Sequence, residues 1–135
     1  MSINAWKKPA AFLAALSLMA GAAQADDAGK AEYMNSCAAC HGEGGLGDGP
    51  LAELMTVPMP NLTTLAQEND GVFPMLDVIH IIDGRTGVRG HGYPMPVWGS
   101  RFKGEVVEMM GDYGAEMAVR GRVLSIAYYL ESIQQ

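Results

Sequence analysis

The chain has 135 residues, 49% of them hydrophobic, and a formal net charge of −6 at pH 7. An acidic balance repels phosphate backbones and anionic lipid, which excludes nucleic acid and anionic membrane surfaces as partners. The two cysteines form a single pair, so neither a disulfide framework nor a zinc site built on two cysteine pairs is available.

Residues 1–25 read as a cleaved export signal. Lys7 and Lys8 make a positive start, Ala10 to Ala23 is an apolar run too short to span a bilayer, and Ala23-Gln24-Ala25 is a small-x-small cleavage site. Export places the mature chain, residues 26–135, in the periplasm as one domain with no stable membrane insertion. Without the leader, seven Lys and Arg face fifteen Asp and Glu, a net charge of −8. That surface suits a partner with a basic docking face. A domain of this size has a marginal core unless something staples it.

The spacing predicts a helix over Ala28 to Ala39, with Asp26 and Asp27 at the positive end of its dipole and Gly29, Tyr33 and Cys37 near one face. The helix runs into Cys37-Ala38-Ala39-Cys40-His41. Two thiols two residues apart, followed at once by an imidazole, form the attachment signature of one covalently bound haem c. Cys37 and Cys40 reach the same porphyrin edge, and His41 points a ring nitrogen at the iron. A tight disulfide or a redox pair would leave His41 unexplained. Such a cofactor also adds a large apolar plate to a small core, so the haem-free chain is expected to fold poorly.

Gly42 to Pro50 is a glycine-rich loop, Leu51 to Met55 a helical turn, and Asn61 to Leu65 a turn or short helix capped by Thr63 or Thr64. Phe73 to Gly84 reads as a helix with Pro74 in its first turn and Gly84 closing it, although Val78 to Ile82 would also suit a strand. Glycines and prolines make Arg85 to Gly99 irregular, a long loop of the kind that carries function. Glu105 to Met110 is a further helical turn, and Glu116 to Ser132 an amphipathic helix with Val119, Val123, Ile126 or Ala127 and Leu130 at helical spacing.

The second axial ligand of the iron decides the chemistry, because a filled position suits electron transfer and an open one admits gases or peroxide. Met95 is the leading candidate, flanked by Pro94 and Pro96, which stiffen the backbone that presents it. Met59, also before a proline, and His91 in the same loop as Met95 remain alternatives. His80, amid isoleucines and valine, reads as a buried or edge histidine satisfied by a local hydrogen bond.

The helix before Cys37 to His41, Pro60-Asn61-Leu62, Met95-Pro96-Val97-Trp98-Gly99 and the terminal Ile126-Ala127-Tyr128-Tyr129-Leu130 together resemble a monohaem class I cytochrome c. The resemblance implies an all-α fold of about four helices around one haem, with the N- and C-terminal helices crossed where Gly29 and Tyr33 meet Tyr129 and Leu130. It implies that Pro60 offers its carbonyl to His41, that Leu62 packs on the haem, and that Trp98 or Arg85 meets a propionate. The segment between His41 and Pro60 is longer than the family pattern, which leaves Pro50 and Pro58 as substitutes for Pro60. The implied function is a non-enzymatic, single-electron carrier in the periplasm with redox protein partners. The alternative is a cytochrome subunit of a periplasmic dehydrogenase or terminal oxidase complex, with Arg101 to Gly114 as docking surface.

Overall fold

The computed structural model of the chain describes residues 27–87 and 95–135. The expected leader and His91 lie outside the described residues. Among the described residues four helices form in chain order: α1 over residues 27–36, α2 Ala38–His41, α3 Met75–Asp83 and α4 Trp98–Ser132. Two 3-10 turns, Ala52–Leu54 and Gln67–Asn69, lie between α2 and α3. Among the described residues there is no strand, as the all-α reading expects.

α1 and α2 are almost continuous. The Cys37 N–H donates to the Tyr33 carbonyl at 2.8 Å and the His41 N–H to the Cys37 carbonyl at 2.9 Å, so the attachment motif is carried on helical turns. Gly42, at φ 81°, ends the run. α1 crosses α4 closely: a Cβ on Gly29 would lie 2.2 Å from the Ser125 carbonyl oxygen and 3.0 Å from the Tyr129 Cβ. Only glycine permits that approach. One turn on, the rings of Tyr33 and Tyr129 pack with centroids 5.1 Å apart. The crossing of the N- and C-terminal helices is therefore made by Gly29, Tyr33 and Tyr129.

α3 is a helix and not a strand. Val78 and Ile82, four residues apart, are buried together against α4, and burial at helical period outweighs the β preference of branched side chains. Pro74 stands at its N-cap, one position before the expected first turn, and Gly84 closes it in the left-handed conformation with its N–H on the His80 carbonyl. His80 itself is exposed, contrary to the expected buried or edge setting, because helical period turns it away from Val78 and Ile82.

α4 is longer than its sequence suggests. It opens at Trp98, inside the stretch expected to be irregular, and the expected short turn at Glu105 to Met110 merges with the C-terminal helix across a kink at Gly111 (φ 67°, ψ 175°). The anchor of its first half is Phe102, 1% exposed, packed 5.4 Å from the Trp98 ring and covered by the Arg122 guanidinium at 3.7 Å. Its second half supplies Val119, Val123, Ile126, Ala127 and Leu130 to the core.

The expected Thr63 or Thr64 cap does not form. Asn61 organises this turn: its Oδ1 accepts from the Thr63 N–H at 2.9 Å and from the Thr63 hydroxyl at 2.7 Å. An asparagine amide reaches the backbone two residues on more readily than a threonine hydroxyl does.

Candidate functional site

The glycine-rich loop after α2 is folded back on the attachment motif. The Gly47 N–H donates to the His41 carbonyl at 2.8 Å, the Leu51 N–H to the Ala39 carbonyl at 2.9 Å, and the Leu62 N–H to the Gly45 carbonyl at 2.7 Å. The buried Tyr33 hydroxyl donates to the Gly42 carbonyl at 2.6 Å. These bonds fix the backbone on both sides of His41, whose side chain is buried.

Two adjoining hollows share Cys37, His41 and Met95. One holds about 820 Å³ of space, mouth included, and is walled by Tyr33, Pro60, Leu62, Leu65, Val78, Ile81, Ile82, Ile126 and Leu130. The other, about 400 Å³, adds Ser36, Cys40, Met55, Met59, Pro96 and Trp98. Side chains from α1, α2, α3, α4 and the 55–65 segment thus converge on one apolar cleft. Its sulfur and nitrogen donors are two thiols, one imidazole and three thioethers, a soft set that suits haem iron, and Glu68 is the one carboxylate on the lining. No cluster of three or more His, Cys, Asp or Glu stands elsewhere among the described residues. The residues fit a haem: apolar walls for the plate, thiols at its edge, and an imidazole and a thioether in the same cleft.

The buried environment pushes the Cys37 thiol up to about 12, with further upward contributions from Cys40 and Glu32. Burial likewise raises the Tyr33 phenol well above its ordinary value, which keeps it a neutral donor to Gly42.

Of the residues expected at the site, Cys37, Cys40, His41, Pro60, Leu62, Met95 and Trp98 come together. Met59, the alternative thioether, also lines the cleft. Arg85 is engaged elsewhere: its guanidinium bonds Asp83 at 2.7 Å and Glu116 at 2.6 Å, tying the end of α3 to α4 across Gly99. Arg101 instead lies over the Trp98 ring, 5.3 Å from its centroid.

Gln134 was invisible in the sequence. Its Nε2 donates to the Leu62 and Leu130 carbonyls at 2.8 and 2.7 Å, and its Oε1 accepts from the Ala66 N–H at 2.9 Å. It clamps the Leu62 wall of the cleft to the end of α4. No periodicity or motif marks a lone glutamine near a terminus.

The sequence model of the family described as cytochrome C oxidase, cbb3-type, subunit III matches residues 24–113, a span that includes Cys37 to His41 and Met95. No curated protein and no solved structure matches the chain.

Proposed function

We infer the role of this chain from its family: it belongs to the c-type cytochromes, under the description cytochrome C oxidase, cbb3-type, subunit III, and it serves haem-based electron transfer. We propose that it is a periplasmic single-electron carrier with one covalent haem c on Cys37 and Cys40, and with His41 and Met95 as axial ligands. The observation that carries this reading is that Met95 lines both hollows together with Cys37 and His41.

The bound haem would supply a one-electron ferric/ferrous couple. The chain's residues set its terms. His41 offers an imidazole nitrogen from a buried, hydrogen-bonded turn, and Met95 offers a neutral thioether, which favours the reduced state. Leu62, Leu65, Val78, Ile82, Ile126 and Leu130 keep water from the cleft. A dry, apolar wall disfavours the extra positive charge of the oxidised state and so also raises the potential. Because the chain would supply both an imidazole and a thioether, electron transfer would require no ligand exchange. The acidic surface supports a redox partner with a basic docking face. Residues 1–25 support export and cleavage before Asp26.

One observation favours a second reading, a cytochrome subunit of a terminal oxidase assembly: the matching family's description names an oxidase subunit. No helix of the described residues is long and apolar enough to cross a membrane. Native purification separates the two, since a subunit co-purifies stoichiometrically with oxidase activity and a shuttle does not.

Ligation is tested with Met95→Ala. The potential is expected to fall by more than about 60 mV, the equivalent of a tenfold shift for one electron, and the ferrous variant to bind carbon monoxide without denaturation. Wild-type protein that binds carbon monoxide as readily would mean an open iron and an enzymatic or sensing role.

A further inference from the structure

α4 turns Val119, Val123, Ile126 and Leu130 into the core and carries an exposed apolar row on its other side: Tyr113, Met117, Leu124 and Tyr128. At helical period these four positions fall within one narrow arc. About the midpoint between Arg120 and Gly121 the row is a palindrome, in which Tyr113 mirrors Tyr128 and Met117 mirrors Leu124. An antiparallel copy of the same helix sets tyrosine on tyrosine and aliphatic on aliphatic, the self-complementarity that a two-fold interface requires.

The midpoint is shaped for close approach. A Cβ on Gly121 would meet nothing within 4 Å, so this glycine weakens the helix without relieving any clash inside the chain. Beside it lies an open groove floored by Ala28, Ala31, Ala118 and Ser125. Arg120 brings its own counter-charge, with Nε 3.1 Å from Glu116. Two copies therefore meet there as ion pairs and not as bare cations.

Tyr113 is 82% and Tyr128 48% exposed. Since a fully covered tyrosine buries about 150–250 Å², the exposed parts of the four tyrosines in two such rows amount to about 400–650 Å², to which Met117 and Leu124 add, at the low end of specific interfaces. That area suits a weak, reversible dimer. We propose that this face of α4 is an antiparallel, two-fold homodimer interface. The cleft, on the Ile126 and Leu130 side of α4, stays free for electron exchange.

Sedimentation of the haem-loaded chain from low to high micromolar concentration tests this. The mass is expected to rise from monomer to dimer. Gly121→Leu and Met117→Glu, both at open positions, are each expected to weaken association about tenfold or more while the haem spectrum holds and the monomer melting temperature does not fall, that of Gly121→Leu rising with the better helix former. Register is read by mixing a Tyr113→Cys chain with a Tyr128→Cys chain, which should give a disulfide-linked pair that neither forms alone. A wild-type chain that stays monomeric at every concentration overturns the proposal and leaves the face to another partner. A dimer that survives both substitutions, or links that form within single-variant solutions, overturns it equally.

Discussion

Gly29 has no side chain because the Ser125 carbonyl and the Tyr129 Cβ occupy the place a Cβ would take. Gly29→Ala is therefore expected to push α1 off α4 and cost about 1–3 kcal/mol, the range for overpacking a filled contact. Urea unfolding of the haem-loaded protein measures it, and an unchanged midpoint would mean that the helices do not cross here. This position was legible beforehand, because Gly29, Tyr33 and Cys37 recur at four-residue spacing on one face. Gln134 and Arg85 were not legible. The partners of Gln134 include the Leu62 carbonyl and the Ala66 N–H, backbone atoms far away in sequence that leave no trace in residue type. Arg85 has two carboxylates within reach once α3 and α4 pack, and only one of them, Asp83, is near in sequence.

α3 and α4 are joined by their apolar faces and by the Asp83–Arg85–Glu116 ion pairs. The Arg85 hydrogen bond holds the Asp83 carboxyl below its ordinary 3.8. Hydrogen bonds from Arg85 and then Arg120 bring Glu116 from 4.5 to about 2. Both carboxylates bind protons more readily in the unfolded chain, so their contribution is full above the ordinary carboxylate range and is lost as pH falls from 4.5 towards 2. These groups are partly exposed and the contribution is modest. Arg85→Gln should melt slightly lower at neutral pH and lose less stability than wild type across that acid window. Melting curves that stay parallel down to the lowest pH would contradict the link. At this scale punctuation was informative where Pro74 and Gly84 bracket α3, and misleading where Pro96 and Gly99 hid the start of α4. Burial of Phe102 supplies what those residues lack. The kink fell at Gly111, whose φ of 67° with ψ of 175° is open to glycine almost alone, so Gly111→Ala should cost about 1–3 kcal/mol or straighten the helix.

For the molecule as a whole, the haem that the family implies would form part of the core. Leu62, Leu65, Val78, Ile82, Ile126 and Leu130 face a cleft and not one another's side chains alone. A chain with Cys37→Ser and Cys40→Ser, which cannot hold haem covalently, should therefore lose cooperative unfolding or melt far below the haem-loaded protein. The attachment motif stands out in the sequence because its spacing is chemically specific, and Met95, which lines the cleft, because prolines flank one soft donor. The long segment from His41 to Pro60 does not, since its order comes from backbone bonds to His41, Ala39 and Gly45. The proposal that Met95 would be the iron's second protein ligand alongside His41 is tested most directly by the near-red absorption of the ferric protein at neutral pH. A weak methionine-to-iron charge-transfer band is expected in wild type and in Met59→Ala, and its loss in Met95→Ala. A wild-type spectrum without that band, or a Met95→Ala spectrum that keeps it, would contradict the assignment.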